Sequence, residues 1–520
     1  MSTTEPAAPA TDPSDSDRPV VHTTAGAVRG TVRHRSHVWL GVPFAQPPVG
    51  ELRWRGPRAP LPWDGVREAA QFGPAAVQLP RFDPTAPPYA GDSEDCLYLN
   101  VFAPAAEPRA PRPVLVWIHG GGFVFGTGKD YDGTVLAERG DCVVVTFNYR
   151  LSAWGFLHLA GLDPSVADTN AGVRDQVAAL EWVRDNIAAF GGDPGRVTLV
   201  GESAGGMSVG TLLGVPRARG LFHAAVVLSG GAAEQHDAAT GTAAAQELLT
   251  RLGIPGTRPA LLRDVPVAAL RDATAGLAAT GGHDGAQGIP FLPVVDGDLV
   301  PEVPLDAVAG GAVAELPLLV AHCRDEMAIF ALGGDDTPIT RSLEHRTGGP
   351  AWSELLRRYE EFEPEGAAVG GSPRRTLLGD AMFVMPAVRL AEAQVRAGGR
   401  VWMHRFDHRP PIAPYDVLGP THAADIPCLW SREPSFDLSS LSGDPADGFV
   451  PMGEDDRAAS AALQDAVLAM VHRGRPELPA GPRWPAYDEE KRSVMLLKAR
   501  PEVAEDPTGE RRTAWDGLPE

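Results

Sequence analysis

The sequence predicts an α/β fold in which helices cover both faces of a mostly parallel central sheet. Short apolar runs occur along the chain, amphipathic segments lie between them, and no internal repeat of 20 to 50 residues is visible. Continuous rather than alternating apolar runs are typical of strands that are buried on both faces. Strands that alternate with helices favour parallel pairing. The runs are VLVWI (114–118), CVVVTF (142–147), VTLV (197–200), AAVVLS (224–229), LLVA (318–321) and VWMHRF (401–406).

The clearest helix is predicted between Asn170 and Gly192, where apolar residues recur at steps of three and four and form one stripe. We expect Asn170 to cap its start, and the pair Gly191–Gly192 to end it. Ala- and Gly-rich helical segments at about 230–290 and 340–395 are interpreted as insertions that form a lid over the active site. Because no linker divides the body, a single domain is expected over residues 19–516.

Composition and charge restrict the class of partner. The chain has 520 residues and a formal net charge of −21. A surplus of carboxylates repels nucleic acids and anionic membranes, so neither is expected as a partner. No signal peptide is predicted, because residues 1–18 lack a basic start and an apolar stretch. No transmembrane helix is predicted, because the sequence contains no run of about 18 consecutive apolar residues. Residues 1–18 are rich in Pro, Ser, Asp and Ala and are predicted to be a disordered tail.

The cysteines are too sparse for a disulfide framework and lack metal-ligand spacing. We therefore expect a reduced, cytoplasmic environment and no metal. They are Cys96, Cys142, Cys323 and Cys428.

The stretch VTLVGESAGG (197–206) places Ser203 between a strand and a small-residue helix, with glycine two positions before and two after. On a sharp strand-to-helix turn the flanking backbone segments approach each other, so side chains at Gly201 and Gly205 would collide. This pattern is the nucleophile elbow, G-x-S-x-G. The alternative is that Ser203 is only a helix cap.

A serine nucleophile needs donors for the oxyanion that forms on the substrate. The sequence HGGGF (119–123) follows the strand VLVWI, and its glycines leave main-chain N–H groups accessible. We expect these donors to be the amides of Gly121, Gly122 and Ala204. A flexible turn is the alternative, and a phosphate-binding loop is disfavoured because no Gly-Lys-Ser/Thr follows.

In this class of hydrolase the acid and then the histidine follow the serine along the chain. Asp325 and Glu326 follow the strand LLVA, whereas Asp296 and Asp298 resemble turn residues. The candidate bases are His404, His408, His422 and His472. His422 is favoured because it lies in the loop GPTHAADIP, while His404 and His408 are expected on a strand and at its end.

Taken together, these motifs make the chain similar to the type-B carboxylesterases, the cholinesterase-like branch of the α/β-hydrolases, and to bacterial members of the para-nitrobenzyl esterase kind. The resemblance covers roughly residues 19–516. Besides GESAGG, HGGGF, RDE and THAADIP, it is carried by LGVPFAQPPVGELRW, WDGVREAAQFGPA, SEDCLYLNVFAP, NYRLSAWGFL, DQVAALEWVRDNIAAFGGDPGRVTLV, FLPVVDGDLVP, RWPAYDEEKRSVM and RRTAW.

The resemblance implies an α/β-hydrolase fold and assigns roles to particular residues. Ser203 becomes the nucleophile, Glu326 the acid and His422 the base. A supporting serine behind the acid falls on Ser229. Glu202, beside the nucleophile, is expected either to stabilise the imidazolium or only to anchor the helix start. Two buried ion pairs are also implied, Arg53 with Glu94 and Arg150 with Asp175.

The sequence departs from the family pattern in three places. Cys96 has no partner near QFGPA, so the family's disulfide is not expected. Residues 75–95 contain Phe82 and Tyr89 but no tryptophan, so choline esters are not expected substrates. Met327 occupies the position of the family's glycine after the acid and is expected to reshape the pocket floor.

The function that we expect is hydrolysis of a small-molecule carboxylic ester through an acyl-enzyme, without a metal or organic cofactor. With an ordinary imidazole pKa, the rate would fall below about pH 6.5. An amidase, a thioesterase or a carbamate hydrolase would use the same groups. A non-catalytic interaction protein of this family is the remaining alternative, disfavoured because the site is complete. The sequence leaves open whether the protein is a monomer or a homodimer.

Overall fold

An eleven-stranded sheet forms the centre of the molecule. The structure is a computed structural model that describes residues 18–80, 89–280, 290–333, 340, 349–362, 372–437 and 449–517. The strands of the central sheet are β1 (Thr31–Arg33), β2 (Ser36–Pro43), β3 (Tyr98–Pro104), β4 (Arg112–Ile118), β5 (Val143–Phe147), β6 (Gly192–Glu202), β7 (Ala224–Leu228), β8 (Leu318–Cys323), β9 (Val401–Phe406), β10 (Ser493–Leu497) and β11 (Glu502–Glu505).

The strands lie in the order β11-β10-β9-β8-β7-β6-β4-β5-β3-β2-β1. Pairing is parallel from β5 through β4 and β6 to β10, and antiparallel at both edges. The mostly parallel sheet predicted from the sequence is confirmed, and all six predicted strands belong to it. Every residue of β4, β5, β7, β8 and β9 is buried, which explains their continuous apolar sequences.

Helices connect and flank the strands. Smaller sheets lie outside the central sheet, among them a three-stranded sheet of Val20–His22, Ala27–Arg29 and Val66–Glu68 and a two-stranded sheet of His236–Asp237 and Val294–Val295. The helices are α1 (Thr134–Gly140), α2 (Ser152–Phe156), α3 (Ala171–Asn186), α4 (Ala204–Leu213), α5 (Ala238–Arg251), α6 (Val267–Thr280), α7 (Pro304–Ala309), α8 (Gly349–Tyr359), α9 (Pro373–Gly379), α10 (Met385–Arg396), α11 (Tyr415–Leu418), α12 (Ile426–Trp430), α13 (Glu454–Arg473) and α14 (Gly509–Thr513).

The start of α3 differs from the prediction in one respect. Asn170 precedes the helix, but its side chain does not cap it. Its amide nitrogen instead donates to the carbonyl of Val294 and to Asp296, and its amide oxygen accepts from the Val294 N–H. Asn170 therefore fixes a distant chain segment on the helix. At the other end, Gly191 has φ 82° and stops a short 3₁₀ extension of α3, as predicted.

The predicted insertions contain α5 and α6 in the first segment and α8 to α10 in the second. Parts of them, residues 281–289, 341–348 and 363–371, lie outside the described residues, as does the predicted tail except for Arg18. The single-domain boundaries and the lid therefore stay predictions. No helix among the described residues has the length and apolarity needed to span a membrane.

Both ion pairs that the resemblance implied are present, and Arg150–Asp175 is fully buried whereas Arg53–Glu94 is partly buried. Arg53 Nε lies 2.5 Å from Glu94 Oε1, and Arg150 Nη2 lies 2.7 Å from Asp175 Oδ1. Burial raises the pKa of the Asp175 carboxyl, and the guanidinium of Arg150 opposes that rise. Removing one member of such a pair would leave an uncompensated charge in the core. Cys96 is a free, buried thiol, as are the other three cysteines.

Candidate active site

The turn between β6 and α4 holds Ser203 in a strained backbone conformation, with φ 57° and ψ −126°. Few non-glycine residues adopt a positive φ, and such strain concentrates at functional sites. The Ser203 N–H donates to the carbonyl of Leu228 in β7 over 2.9 Å, which helps to hold the turn in place. The sharp elbow predicted from the sequence is therefore present.

The two flanking glycines are needed for different reasons. A Cβ atom on Gly201 would lie 2.3 Å from the carbonyl oxygen of Gly205, as the predicted close approach requires. A Cβ atom on Gly205 would instead lie 2.0 Å from the carbonyl oxygen of Ile118 at the end of β4. The collision predicted at Gly205 is therefore with the neighbouring strand and not with Gly201. The elbow thus packs against β4, whose continuation is the glycine loop.

A chain of hydrogen bonds joins Ser203, His422 and Glu326. His422 Nε2 lies 2.8 Å from Ser203 Oγ, and His422 Nδ1 lies 2.6 Å from Glu326 Oε2. All three residues come from segments that follow parallel strands, because Ser203 follows β6, Glu326 follows β8 and His422 lies beyond β9. The structure therefore brings together the serine, the acid and the histidine that the sequence nominated.

The loop that carries His422 is fastened to the segment that carries Glu326. The Asp325 N–H donates to the carbonyl of Pro420 over 3.0 Å, and the His422 N–H donates to the carbonyl of Glu326 over 3.2 Å. The Ile329 N–H donates to Thr421 Oγ1 over 2.8 Å. These bonds fix the separation of the two segments independently of the imidazole itself.

Glu326 is held by two donors besides the histidine. Ser229 Oγ and the Cys323 N–H each donate to Glu326 Oε1 over 2.7 Å. Ser229 comes directly after β7, at the position that the resemblance implied for a supporting serine. The carboxylate is therefore fixed in one orientation, with Oε2 directed at the imidazole.

The glycine loop lies beside the elbow. A Cβ atom on Gly120 would lie 2.8 Å from the carbonyl oxygen of Glu202 and 3.0 Å from Ser203 Cβ. Gly122, at φ 58°, has only a methyl of Val124 near its missing Cβ, at 3.8 Å. Within the described part of the chain, the amides of Gly121, Gly122 and Ala204 have no hydrogen-bond acceptor. Three main-chain donors, in the glycine loop and at the start of α4, are thus without an acceptor among the described residues.

Three buried carboxylates influence His422 electrostatically: Glu202, Glu326 and Asp425. Glu202 Oε1 lies 3.4 Å from His422 Nε2. Burial raises the pKa of Glu202 and also that of Asp425, because a charged carboxylate is poorly solvated there. Burial alone would lower the pKa of His422, but Glu202 and Glu326 outweigh it and raise this pKa to about 9. The expected limit of about pH 6.5 applied to an unshifted imidazole pKa, and that condition is not met here.

Two aromatic rings lie against His422. The ring centroid of Phe383 is 4.4 Å from that of the imidazole, and the ring centroid of Phe330 is 5.4 Å from it. Phe383 is buried, whereas Phe330 is partly exposed. Sequence reasoning missed both rings, and it missed Asp425. The signal for Asp425 was its position three residues after His422 in THAADIP, whereas nothing in the sequence around Phe383 pointed to the site.

The other candidate residues lie elsewhere. Asp325 pairs with Arg324, and Asp296 accepts hydrogen bonds in a turn, as its sequence suggested. His404 is buried in β9, His408 lies 2.8 Å from Asp456, and His472 contacts the carbonyl of Gly140. None of these histidines approaches Ser203 in the described structure. Among the residues described here, no group of three or more His, Cys, Asp or Glu side chains could hold a metal ion.

A parallel sheet with a serine elbow after one strand, followed along the chain by an acid and then a histidine, defines the α/β-hydrolase class. Within that class, residues 17–515 match the carboxylesterase family, and the chain belongs to that family.

Known relatives agree with this assignment over nearly the whole chain. The chain is 37% identical to the para-nitrobenzyl esterase of Bacillus subtilis (strain 168), over 95% of this chain and 97% of that protein. It is 34% identical to the phenmedipham hydrolase of Pseudarthrobacter oxydans, over 92% of this chain and 95% of that protein. A solved PNB esterase structure superimposes with a TM-score of 0.82 at 36% identity, over 95% of this chain and 99% of the other. The protein is a carboxylic ester hydrolase.

Proposed function

We propose that this enzyme hydrolyses carboxylic esters through a covalent acyl-enzyme on Ser203, with His422 as general base and acid and Glu326 as the acid that orients it. The observation that carries the proposal is the pair of short hydrogen bonds on His422, 2.8 Å to Ser203 Oγ and 2.6 Å to Glu326 Oε2. A serine hydroxyl is a weak nucleophile unless an adjacent base takes its proton.

In the acylation step, Ser203 Oγ attacks the ester carbonyl carbon while its proton passes to His422 Nε2. The carbonyl oxygen becomes an oxyanion, and we assign its binding to the amides of Gly121, Gly122 and Ala204. Each such donor contributes about 3 kcal/mol to transition-state stabilisation in other hydrolases. The C–O bond then breaks, and the proton on Nε2 moves to the leaving alkoxide, which departs as the alcohol.

In the deacylation step, water takes the place of the serine. His422 Nε2 accepts one proton from water, and the resulting hydroxide attacks the acyl carbon. Collapse of the second oxyanion releases the carboxylic acid and returns the proton to Ser203 Oγ. In both steps Glu326 accepts a hydrogen bond from the Nδ1–H of His422, and its negative charge offsets the positive charge of the imidazolium.

The aromatic rings beside His422 favour esters with an apolar or aromatic alcohol. Because Nε2 delivers its proton to the leaving oxygen, the alcohol part must lie next to the imidazole. The partly exposed ring of Phe330 lies 5.4 Å from that imidazole, so it can pack against an aromatic leaving group. The similarity to a para-nitrobenzyl esterase supports the same preference.

The proposal is tested with Ser203→Ala on a short-chain p-nitrophenyl ester. We expect kcat to fall by about 10⁴-fold or more, since removal of a serine nucleophile alone costs that much in comparable enzymes. The exposed serine variant Ser165→Ala is the matched control and should keep wild-type rates. A Ser203→Ala enzyme that retains most of the activity would falsify the proposal. Kinetics on a matched ester and amide then separate an esterase from an amidase.

A further inference from the structure

The C-terminal end of the described chain contacts a buried polar cluster close to the site. Trp515 Nε1 donates to the hydroxyl of Tyr359 over 2.8 Å, and that hydroxyl donates to Asp380 Oδ2 over 2.6 Å. Arg511 Nε, from α14, lies 3.4 Å from the same carboxylate oxygen. Trp515, Tyr359 and Asp380 are all at least 95% buried. Residues far apart in sequence are thus joined through one carboxylate.

Asp380 begins a single π-helical turn, Asp380–Val384, between α9 and α10. Such turns are rare and often occur at functional sites. The same turn carries Phe383, whose ring centroid lies 4.4 Å from that of His422. The residue before the turn, Gly379, lies against the acid segment, because an added Cβ would be 3.4 Å from Met327 Cγ and 3.5 Å from Glu326 Cβ. The turn and the residue before it therefore pack against both His422 and the segment that carries Glu326.

The buried Asp380 carboxylate links the stability of the turn to Arg511, near the C-terminal end of the described chain. A buried charge is costly unless it is paired and hydrogen-bonded. Burial raises the pKa of Asp380, whereas Arg511 and the Tyr359 hydroxyl oppose that rise. Without Arg511, Asp380 would either lose its charge or move towards solvent. Either change alters the support of the turn that carries Phe383.

We propose that Arg511 and Trp515 are positioning residues for the hydrolytic reaction, because they hold the Asp380–Val384 turn so that Phe383 keeps the His422 imidazole directed at Ser203. This inference rests on the proposed role of His422 as the base. Neither Arg511 nor Trp515 belongs to the Ser203–His422–Glu326 hydrogen-bond chain. Their contribution therefore concerns the geometry of the base and not the binding of the ester.

The geometry of the imidazole explains why this support matters. Hydrogen bonds to Glu326 and Ser203 hold the two ring nitrogens but leave the ring free to rotate about the line that joins them, and the rings of Phe383 and Phe330 beside it limit that rotation. A misplacement of about 1 Å can cost about 100-fold in rate. Partial loss of this support should therefore lower kcat and leave KM nearly unchanged.

The first test compares Arg511→Gln with Arg511→Lys on the p-nitrophenyl ester. Arg511→Gln should lower kcat by roughly ten-fold and change KM by no more than about two-fold. The expected loss is smaller than the roughly 100-fold loss for a full 1 Å misplacement of the imidazole, because support of the ring is only partly lost. Arg511→Lys keeps the charge and should restore most of kcat. The matched control is Arg512→Gln, because Arg512 lies on the same helix but pairs with Asp506. A wild-type kcat in Arg511→Gln, or a loss equal to that of Arg512→Gln, would overturn the inference.

The second test asks whether the effect passes through Phe383. We expect Phe383→Leu to lower kcat by itself, and Arg511→Gln to add little in that background, because coupled residues are not additive. Additive losses would overturn the inference. Should Arg511→Gln fail to fold, as judged by near-UV circular dichroism, Trp515→Phe removes the indole N–H donor together with the five-membered ring, keeps an aromatic ring at this position, and is measured in the same way. An active Ser203→Ala enzyme would overturn the proposed function instead, whatever the Arg511 variants show.

Discussion

Two glutamates approach His422 at different ring nitrogens, and they differ in how they are held. Glu326 lies 2.6 Å from Nδ1 and accepts two further hydrogen bonds, from Ser229 and the Cys323 N–H. Glu202 Oε1 lies 3.4 Å from Nε2 and has no hydrogen-bond partner among the residues that the structure describes. Glu326 is therefore held in place by directional hydrogen bonds, whereas Glu202 lies near the imidazole without such bonds.

The difference separates orientation from electrostatic influence. A carboxylate that is fully hydrogen-bonded sets the tautomer and direction of the imidazole. A buried carboxylate without such bonds acts on the imidazole mainly through charge, and its own pKa is raised by burial. We therefore expect Glu326 to control the rate of the chemical step and Glu202 to control its pH dependence.

The largest effect is expected for Glu326→Gln. The amide nitrogen of glutamine can donate to Nδ1 and place the imidazole proton on Nε2, where it blocks proton transfer from Ser203. In a comparable triad the equivalent change lowers kcat by about 10⁴-fold, and we expect a loss of this order with KM little changed. Steady-state kinetics at a fixed pH measure it. A loss below ten-fold would show that Glu326 does not orient the base.

A shift in the pH profile is expected for Glu202→Gln. His422 must be neutral to accept the serine proton, so the rate rises as pH increases through its pKa. Burial lowers the pKa of His422, but Glu202 and Glu326 raise it to about 9. In the wild type, the rise in rate on the acidic side of the pH–rate profile should therefore lie above pH 6.5. Glu202→Gln removes the charge that contributes most to raising this pKa, so the rise in rate should move to lower pH.

The measurement is kcat/KM from pH 5 to 10, corrected for spontaneous hydrolysis. The control is Glu181→Gln, because Glu181 pairs with Arg217 on the surface. If kcat/KM of Glu202→Gln rises at the same pH as in the wild type, or at a higher pH, Glu202 does not raise the pKa of His422. Glu326 would then be the glutamate that raises it.

The smallest effect is expected on stability, for Asp425→Asn. Burial raises the folded-state pKa of Asp425, so the folded chain binds a proton that the unfolded chain has released. The stability from this proton is present below the ordinary aspartate pKa of about 4 and is lost as pH rises through the raised value. Asparagine avoids this loss, so the variant should melt about 1–2 °C higher than wild type at pH 8 and show no gain near pH 4. A variant that melts lower at pH 8 would contradict this expectation.

The sequence predicted the interior of the fold better than its edges. Strands such as β4 and β8 are buried on both faces, so each reads as an uninterrupted apolar run. The edge strands β1 and β11 are short and largely exposed, and their sequences, TVR and EVAE, carry no such signal. The antiparallel borders of the sheet were therefore not predictable from hydrophobicity alone.

The site divides in the same way. Ser203 and the glycines around it could be predicted because a sharp turn restricts which residues fit. His422 required the family resemblance, since several histidines fitted the chain order. Phe383 reaches the imidazole only through tertiary packing, and no local spacing reveals such a contact, whereas the position of Asp425 three residues after His422 was a signal that the prediction from sequence did not use. The reason for Gly205 was mistaken because its close neighbour, Ile118, belongs to a strand much earlier in the chain.

Ser203 and His422 are separated by 219 positions along the chain. At ordinary translation speeds of about 5 to 20 residues per second, the ribosome needs about 10 to 45 s to cover these 219 positions. During that interval Ser203 has no base beside it and is an ordinary alcohol. Under the proposed mechanism, the nascent polypeptide is therefore not acylated prematurely by esters in its surroundings, and reactivity begins only when synthesis has passed the histidine loop and that loop has docked.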